Sequence, residues 1–412
     1  MKAVILAAGR GVRLWPLTEH MPKHLLPAGG RAILERTVSA LANAGIRDLV
    51  LVVNYRAEMI RAHLGGGGRF NCRIKFVSQK RIGGTADAIA TAKDELKGED
   101  HFLVLYGDDY YASSAIGRFA QAATRGGTML AAASVDDPSR FGAIEAKDGL
   151  ISEIREKASR KGPGLVNAGM YCLPARAILA VEKTKRSTRG ELELTDSTRI
   201  LIRRGEEVRV FPLEAGEWAG VSYPWDLLEA NSLAVEANEP SNQGTVEDNV
   251  RVTGKAILSK GAVVKSGSCL EGSVFLGEGA VVGPNAYLRR GTSLGKNTKV
   301  GAACEVKNSV LMDGAKVPHL SYIGDSIIGH NTSLGAGTTT ANLRFDEANI
   351  MSSVKRKALN TGRKKLGAII GDSVRTGINV SILPGVKIGG GSWIGPGVVV
   401  REDIPSQARL KD

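Results

Sequence analysis

Three residues near the start of the chain have the types and spacing needed to bind phosphate groups. They follow a short apolar run and are Gly9, Gly11 and Arg13. Glycines directly after a strand let backbone N–H groups approach phosphate oxygens, and basic side chains neutralise phosphate charge. A dinucleotide-binding loop would have a third glycine where Leu14 stands, and a P-loop would contain Gly-Lys-Ser/Thr. The pattern therefore indicates another type of phosphate-binding loop, and a tight turn with solvated basic side chains is the alternative.

A candidate metal ligand follows a second apolar run. This run ends in Tyr106-Gly107-Asp108. A carboxylate directly after a strand is an expected ligand for a hard cation such as Mg²⁺. The alternative for Asp108 is a carboxylate that only caps its own loop.

A histidine in the C-terminal half is the candidate for acid–base chemistry. His319 lies in the stretch Pro318-His319-Leu320-Ser321-Tyr322. An imidazole titrates near neutral pH and can take a proton from an attacking group. Since a lone histidine is more often a hydrogen-bonded surface residue, this interpretation depends on its neighbours.

Apolar runs that alternate with helical patterns must position the residues of the first half. Strands are predicted at Ala3–Ala7, Leu49–Val53, Ile74–Ser78, Phe102–Tyr106, Met129–Val135 and Val208–Pro212, and helices at Ala32–Ala44 and Thr85–Leu96 among others. This alternation is typical of a largely parallel, doubly wound (Rossmann-like) α/β sheet. Ligands of such sheets bind at the carboxyl ends of the strands, where the residues named above are expected.

The periodicity of the apolar residues changes after residue 249. Every sixth residue from Val252 to Met312 is aliphatic, which makes eleven consecutive positions. After a phase slip and a break, the same spacing resumes from Ile370 to Val400. A left-handed parallel β-helix explains this spacing, because each coil of about eighteen residues turns one side chain inward on each of three faces. The predicted domains are 1–235 (α/β), 236–249 (linker) and 250–405 (β-helix).

The break in the repeat, Ala341–Leu366, is too long for a corner of the β-helix. We expect an extruded loop, and long loops in regular solenoids often carry function. The loop contains Arg363-Lys364-Lys365, a basic run that either binds an anionic ligand or is only solvated.

The motifs of the first half together resemble the sugar-1-phosphate nucleotidylyltransferases. The resemblance rests on the Gly-rich loop with Pro22-Lys23, on Gln79 with Gly83-Gly84-Thr85, and on the strand end at Asp108. It implies that Ala8, Gly9 and Gly11 surround a nucleoside triphosphate whose phosphates contact the catalytic residues Arg13 and Lys23. It further implies that Gln79, Gly84 and Thr85 recognise the base and that Asp108 binds Mg²⁺.

The same resemblance extends to a sugar-binding region. Four residues correspond to positions that bind the sugar and its phosphate, namely Gly142, Glu156, Lys157 and Asn167. The stretch Glu191–Asp196 is expected to close over the sugar, or else is an exposed acidic helix start. Many family members carry a second Asp in a Trp-x-Asp pattern, but here Gly220 stands at that place. A different alignment puts Ser222 where some uridylyl-transferring members use Asn, so the second metal contact stays open.

The C-terminal half resembles the acetyltransferase part of the bifunctional enzymes that make UDP-N-acetylglucosamine, most closely the archaeal-type versions. The resemblance implies that His319 takes a proton from the 2-amino group of glucosamine-1-phosphate as this amine attacks acetyl-CoA. It assigns sugar-phosphate binding to Arg289, Lys307, Tyr322 and Asn342, and acetyl-CoA binding to Ala336, Lys364 and Lys365.

Two departures concern the amino sugar. Ser333 and Leu343 stand where the bacterial enzymes have Asn and Tyr, which leaves open whether galactosamine-1-phosphate is also accepted. A zinc site of the three-histidine type is excluded, because the repeats contain only His319 and His330.

Composition and charge argue against several classes of protein. The formal net charge is +13, but no long basic tract or aromatic-interleaved stripe accompanies it, so no nucleic-acid partner is expected. The four cysteines form no CxxC pair, which argues against a disulfide framework. No signal-peptide pattern or membrane-length apolar run occurs, so we expect a cytoplasmic protein without a membrane partner.

The resemblances of the two halves imply two reactions of the same biosynthetic pathway. The expected function is a bifunctional transferase that uses acetyl-CoA, UTP and Mg²⁺, and hexapeptide-repeat prisms commonly form homotrimers. One alternative is a thymidylyl- or guanylyltransferase whose β-helix serves only oligomerisation. Another is a non-enzymatic scaffold on a decayed transferase fold, which the glycine at position 220 suggests.

Overall fold

The computed structural model describes residues 1–156 and 162–411. By contacts the chain divides into two units, the first made of Met1–Arg10 and Ile33–Gly220 and the second of Gly11–Ala32 and Val221–Asp412. The predicted domain boundaries stay a prediction. The segment Gly11–Ala32, which contains most of the Gly-rich loop, belongs to the same unit as the C-terminal repeats.

A nine-stranded sheet forms the centre of the first unit. The first thirteen strands of the chain are β1 (Ala3–Ala7), β2 (Pro27–Ala28), β3 (Arg31–Ala32), β4 (Asp48–Val53), β5 (Arg73–Ser78), β6 (His101–Tyr106), β7 (Tyr110–Tyr111), β8 (Thr128–Val135), β9 (Gly142–Lys147), β10 (Leu150–Glu156), β11 (Gly164–Pro174), β12 (Val208–Pro212) and β13 (Trp218–Ala219). The sheet order is β5-β4-β1-β6-β11-β8-β12-β10-β9. Strands β5, β4, β1 and β6 are mutually parallel, whereas β11 runs antiparallel to its neighbours. All six predicted strands are present with ends within one residue. Four of them are mostly buried and appear in the sequence as continuous apolar runs, whereas Arg73–Ser78 and Val208–Pro212 are partly exposed.

Most helices belong to the first unit, and the last one belongs to the second unit. The helices of the chain are α1 (Ile33–Asn43), α2 (Ala57–Leu64), α3 (Thr85–Thr91), α4 (Ser113–Ala123), α5 (Ala177–Glu182), α6 (Leu194–Arg203) and α7 (Asp226–Ala237). Short 3₁₀ turns lie at Val12–Leu14, Lys23–Leu25, Gly68–Phe70, Lys93–Leu96 and Pro138–Arg140. The predicted helix Thr85–Leu96 divides into α3 and the 3₁₀ turn at Lys93–Leu96. In the described ranges no helix is long and apolar enough to cross a membrane.

The second unit is a left-handed β-helix with three faces, as predicted. The first face contains Ser241–Asn242, Ala256–Leu258, Val274–Leu276, Thr292–Leu294, Val310–Leu311, Ile327–Ile328, Ile369–Ile370 and Lys387–Ile388. The second contains Thr245–Val246, Val263–Val264, Val281–Val282, Lys299–Ala302 and Lys316–His319, and continues through a bridge at Ser333 to Arg375–Thr376, Trp393–Ile394 and Arg409–Leu410. The third contains Arg251–Thr253, Cys269–Glu271, Tyr287–Arg289, Glu305–Lys307, Tyr322–Gly324, Thr339–Thr340, Ser381–Ile382 and Val399–Val400. Strands pair in parallel with the equivalent position of the next coil, for example Leu270 with Leu288.

The six-residue stripe forms the interior of this prism. From Leu258 to Val306 its members belong to a single buried cluster, and the members from Ile370 to Val400 belong to the same cluster except the half-buried Thr376. Val252 also lies outside the cluster and is 44% exposed, because it lies in the first coil, at the open end of the prism. Where the six-residue spacing slips, Leu311 belongs to the buried cluster in place of Met312.

The break and the predicted linker both contain regular structure. The inserted loop Ala341–Leu366 carries an antiparallel hairpin of Met351–Val354 with Lys357–Asn360. Residues 236–249 contain the end of α7 and two short strands that already pair with the next coil.

Candidate active sites

The Gly-rich loop folds back on itself within the second unit. Gly11 has a φ of 69°, and its carbonyl accepts hydrogen bonds from Leu14 N at 2.8 Å and Thr18 Oγ1 at 2.9 Å. A Cβ at Gly11 would lie 3.0 Å from Lys23 Cβ. This close approach brings Gly11 and Lys23, two of the predicted triphosphate-binding residues, side by side.

Arg13 lies against the segment that follows residue 220. Its guanidinium is 5.3 Å from the ring centre of Tyr223, and Nη2 lies 3.4 Å from Ser222 Oγ. Asp226 fixes that segment by accepting from the backbone N–H groups of Ser222 and Tyr223 at 3.0 and 2.8 Å. The structure therefore joins Arg13 to Ser222, the residue on which the alternative alignment rests.

Ala8 and Gly9 belong to the first unit, at the carboxyl end of β1. Ala8 is buried and Gly9 is half-buried. The Ala8 carbonyl accepts from Tyr55 N at 3.5 Å, and the guanidinium of Arg10 lies 5.7 Å from the Tyr55 ring centre.

The predicted base-recognition residues form a tight turn before α3. Gln79 is 2% exposed, and its Nε2 donates to Asp87 Oδ2 at 2.6 Å. Gly84 has a φ of 112°, and a Cβ there would lie 2.4 Å from the carbonyl oxygen of Leu192. The hydroxyl of Thr85 accepts from Leu194 N at 2.8 Å. The turn thus connects to the stretch that was expected to cover the sugar.

Two carboxylates follow β6 where the metal ligand was predicted. Asp108 and Asp109 are half-buried, and Trp218 Nε1 donates to Asp109 Oδ2 at 3.1 Å. Burial and then the charges of Asp109 and Asp108 hold the pKa of Tyr111 well above its ordinary value. Both carboxylates therefore lie close enough to the buried Tyr111 to act on it, and carboxylate oxygens are the ligands that a hard cation such as Mg²⁺ prefers.

Gly220 lies at the end of β13, which pairs with β7 next to these carboxylates. A Cβ at Gly220 would lie 2.9 Å from both the Phe141 and Trp218 rings, whose centres are 5.2 Å apart. The rings occupy the space that an Asp side chain would need. In residues 1–156 and 162–411 there is no group of three or more His, Cys, Asp or Glu side chains suited to a metal ion.

Three of the four predicted sugar-binding residues lie together. Gly142 pairs with Glu156 across β9 and β10, and a Cβ on Gly142 would lie 3.1 Å from Glu156 Oε2 and 3.5 Å from Asn167 Cβ. Asn167 is fixed by a 2.6 Å hydrogen bond from Nδ2 to Tyr171 Oη and accepts from Gly169 N at 2.8 Å. The fourth predicted residue, Lys157, lies outside the described residues.

A group of acidic residues surrounds one arginine beside Glu156. Arg189 Nη1 lies 3.1 Å from Glu156 Oε1 and 3.3 Å from Glu193 Oε1, and Nη2 lies 3.3 Å from Glu191 Oε2. Glu193 is 5% exposed. Burial, opposed by Arg189 and reinforced by the other two carboxylates, raises the pKa of Glu193 to about 7.

Thr195 lies within the stretch Glu191–Asp196 that was expected to close over the sugar, but the motifs gave it no role of its own. It is 3% exposed, and its Oγ1 has no hydrogen-bond partner among the described residues. Its methyl group would be 3.4 Å from a Cβ on Gly142. A buried hydroxyl without a partner is unusual, and this property appears only in three dimensions.

In the prism, His319 ends a strand of the second face. Its side chain is exposed, and none of the described residues forms a hydrogen bond with its ring. Its carbonyl accepts from Ser321 Oγ at 2.7 Å and Gly337 N at 3.2 Å. The backbone is thus fixed while the imidazole remains accessible.

The predicted sugar-phosphate residues lie in successive coils of the third face. Lys307 Nζ is 2.9 Å from Asp325 Oδ2. Asn342 Nδ2 donates to the same oxygen at 2.6 Å and to Tyr322 Oη at 3.1 Å. Arg289 lies opposite Lys307 on the neighbouring parallel strand. The structure therefore brings these four residues to adjoining positions.

Asp325 is the central residue of this cluster, and the sequence analysis missed it. Its side chain is 4% exposed, and it also accepts from Asn308 Nδ2 at 2.7 Å. Three donors compensate the burial of one carboxylate. No local signal in the sequence marked it, because Asp325 lies between the inward residues Ile323 and Ile328, at a corner where polar residues are ordinary.

The three residues assigned to acetyl-CoA lie in two segments. Ala336 is half-buried in the coil before the break, where its carbonyl accepts from Asn379 N at 2.7 Å. Lys364 and Lys365 are exposed at the end of the inserted loop. Nothing in the described contacts joins the two lysines to Ala336.

Comparisons with known proteins identify relatives of both halves of the chain. The nucleotidyl transferase family model matches residues 2–236 and the GMPPB C-terminal domain model matches residues 270–383. The bifunctional protein GlmU of Methanocaldococcus jannaschii is 40% identical over 98% of this chain and 96% of its own length. The bifunctional sugar-1-phosphate nucleotidylyltransferase/acetyltransferase of Sulfurisphaera tokodaii is 41% identical over 98% of each chain.

A solved structure matches the first part of the chain. It belongs to a Bacillus anthracis protein assigned as a glucose-1-phosphate thymidylyltransferase, is 30% identical, covers 58% of this chain and 98% of its own, and has a TM-score of 0.54. The likeness to the two bifunctional relatives extends over nearly the whole chain and includes the prism. The chain belongs to the family of bifunctional sugar-1-phosphate nucleotidylyltransferase/acetyltransferases, as its sequence motifs predicted.

Proposed function

We propose that this protein acetylates glucosamine-1-phosphate with acetyl-CoA and then couples the N-acetyl sugar phosphate to UTP. The observation that carries the proposal is the cluster of Lys307, Tyr322 and Asn342 around buried Asp325, two coils from Arg289. A prism used only for oligomerisation has no need of a buried carboxylate with cationic and amide donors. The full-length likeness to the bifunctional relatives supports the same conclusion.

In the acetyl transfer, His319 acts as the base. Its exposed imidazole takes a proton from the attacking 2-amino group while a C–N bond forms at the thioester carbonyl and the C–S bond breaks. Arg289 and Lys307 supply positive charge for the sugar phosphate, and Asn342 and Tyr322 orient the amine. Ala336, Lys364 and Lys365 are assigned to the anionic coenzyme.

In the nucleotidyl transfer, no protein nucleophile is needed. A phosphate oxygen of the sugar phosphate attacks the α-phosphorus of UTP and pyrophosphate leaves, so catalysis consists of positioning and charge neutralisation. Arg13 and Lys23 bind the phosphates, and Gly142, Glu156, Lys157 and Asn167 bind the sugar. Mg²⁺, held by Asp108, would supply further neutralisation of phosphate charge.

For the nucleotide base in this proposal, thymine is a second candidate beside uracil. Thymidylyl transfer is favoured by one observation, the likeness of the first unit to a protein assigned as a thymidylyltransferase. Initial rates with UTP and dTTP, each paired with N-acetylglucosamine-1-phosphate and glucose-1-phosphate, decide between the two. We further propose a cytoplasmic homotrimer.

Replacement of His319 tests the acetyl transfer. We expect His319→Ala to lower acetyl-CoA consumption with glucosamine-1-phosphate at least about a hundredfold, because general-base catalysis contributes that much. Thiol release is the measurement. His63→Ala in α2, far from either set of predicted residues in sequence, is the matched control and should behave as wild type. Equal rates for His319→Ala and wild type would contradict the assignment.

Replacement of Asp108 tests the nucleotidyl transfer and its independence. Asp108→Asn removes one charge from the metal ligand, so pyrophosphate release should fall at least about a hundredfold while acetyl transfer is unchanged. Asp100→Asn serves as the control. Asp100 is exposed and directly precedes β6, the strand after which Asp108 follows. Loss of both activities in a folded Asp108 variant would show that the two sites are not independent.

A further inference from the structure

The segment Gly11–Ala32, which carries Arg13 and Lys23, is fixed to the prism at its C-terminal end. Asn231 of α7 is fully buried. Its Oδ1 accepts from Gly29 N at 2.9 Å and Ser293 Oγ at 2.7 Å, and its Nδ2 donates to Gly291 O at 2.8 Å. One amide therefore bonds both to the segment and to the fourth strand of the first face, Thr292–Leu294, with the glycine directly before it.

The N-terminal part of the segment is fixed to the last coils through Glu19. Glu19 Oε2 accepts from Gly390 N at 2.9 Å, and Oε1 accepts from Trp15 Nε1 at 2.7 Å and from Ser406 Oγ. A Cβ on Gly390 would lie 2.9 Å from Glu19 Oε2, so a larger residue there would displace the carboxylate. The carboxylate connects the Gly-rich loop to residues more than 370 positions later in the chain.

A buried lysine of the prism contacts the same loop. Lys387 is 2% exposed, and its ammonium lies 5.8 Å from the ring centre of Trp15. Its Nζ also donates to the carbonyl of Ser353 in the inserted hairpin. Burying a cation costs free energy unless polar or aromatic partners compensate. Here one partner belongs to the Gly-rich loop and the other to the loop of the acetyl-transfer half.

We propose that Glu19 and Lys387 are positioning residues for nucleotidyl transfer, through which the last coils of the prism fix the orientation of the Gly-rich loop. Trp15 is the contact on the loop side, two residues after Arg13. The prism then has a role in the first reaction that is separate from acetyl transfer and from assembly. This inference rests on the proposed nucleotidyl transfer by the Gly-rich loop.

The test uses the full-length protein and variants on both sides of the contact. Glu19→Ala should lower kcat for nucleotidyl transfer by about ten- to a hundredfold and raise KM for UTP, because small misplacements of phosphate-binding groups have effects of this size. KM for the sugar phosphate should not change. Ser406→Ala and Lys387→Met, which alter only the prism, should act in the same direction, and Glu19→Gln should recover part of the rate because one oxygen still accepts.

The control is Ser381→Ala, an exposed prism serine outside this contact. Acetyl transfer of Glu19→Ala and Ser406→Ala should equal that of the control. The proposal is overturned if Glu19→Ala and Ser381→Ala have the same nucleotidyl-transfer kinetics. It is also overturned if both activities fall in parallel with the melting temperature, which would indicate a purely structural role.

A measurement without activity separates this inference from the proposed function. Amide hydrogen exchange at Leu14 and Leu17, whose N–H groups bond within the loop, should be faster in Glu19→Ala and Ser406→Ala than in wild type. If wild type shows no nucleotidyl transfer, the proposed function fails, whereas faster exchange would still support the contact. Unchanged exchange in both variants would contradict the positioning role.

Discussion

Two buried carboxylates have different polar surroundings. Asp325 lies among an ammonium and two amide donors, which compensate the loss of water around a negative charge. Glu193 has one arginine, and it shares that arginine with two further carboxylates. Burial disfavours its negative form and the two neighbouring carboxylates add to this effect, so the pKa of Glu193 rises to about 7.

This raised pKa predicts a pH-dependent stability. Because the folded protein binds the Glu193 proton more tightly than the unfolded chain does, the contribution to the free energy of unfolding is fully present below about pH 4.5 and is lost as pH rises through about 7. Glu193→Gln keeps the uncharged form at every pH. Thermal melts between about pH 5 and 8 should show that the variant gains stability relative to wild type as pH rises.

Glu182→Gln on α5 is the control, since Glu182 is exposed and bonds only to Lys93 among the described contacts. Its melting temperature should follow that of wild type across the same range. A constant difference between Glu193→Gln and wild type at all pH values would contradict a raised pKa.

At the scale of elements, the turn before α3 depends on a glycine. Gly84 has a positive φ, and its Cα faces the backbone of Leu192 so closely that a Cβ would be 2.7 Å from N and 2.4 Å from O of that residue. The contact permits Leu192 N to donate to Gly83 O at 2.7 Å and Ala86 N to donate to Leu192 O at 2.8 Å. The turn and the start of α6 are thereby fixed to one another.

Two glycine-to-alanine changes should therefore shift the free energy of unfolding in opposite directions. Gly84→Ala should lower the free energy of unfolding by on the order of 3 kcal/mol, through backbone strain and loss of these hydrogen bonds. Gly117→Ala, inside α4 with open space around its Cα, should raise it by about 0.5–1 kcal/mol. Denaturant unfolding of both variants is the measurement, and the same sign for both would contradict this account.

Elements with a strong local pattern could be predicted from the sequence. The strands Ala3–Ala7 and Val208–Pro212 have the predicted ends, and the stripe at every sixth residue forms the prism interior, because burial selects apolar residues at the period of the element. The motifs likewise identified Gly142, Glu156 and Asn167, which lie together.

Features that depend on contacts distant in sequence could not be predicted. The hydrogen bond between Glu19 and Gly390 joins residues without any shared local pattern. Likewise, Thr195 and Asp325 differ from ordinary polar residues only in their burial, which no period in the sequence encodes. The aromatic pair that excludes a side chain at Gly220 is a tertiary arrangement of the same kind.

At the scale of the whole molecule, large apolar side chains remain exposed beside the acetyl-transfer residues. Leu320, next to His319, is 69% exposed, and Phe345 in the inserted loop is fully exposed. Exposed apolar surface of this kind occurs at protein–protein interfaces. This exposure is in keeping with the proposed trimer.

Light scattering tests the assembly. Wild type should have three times the mass of one chain, and the double change Leu320→Ser with Phe345→Ser should shift the mass toward that of one chain, because apolar burial drives association. Leu179→Ser, on an exposed apolar residue of α5, should leave the mass unchanged. A monomeric wild type, or an unaffected double variant, would contradict the proposal.

The path of the chain between the two units has a consequence for dissecting the protein. The backbone passes from one unit to the other after Arg10, after Ala32 and after Gly220, so neither unit is a continuous stretch of sequence. Expressing residues 1–235 alone would leave Trp15 and Glu19 without Gly390, Lys387 and Ser406. A gene divided at that point would yield an N-terminal fragment with an unsupported Gly-rich loop, and co-expressing the complementary fragment is the way to restore it.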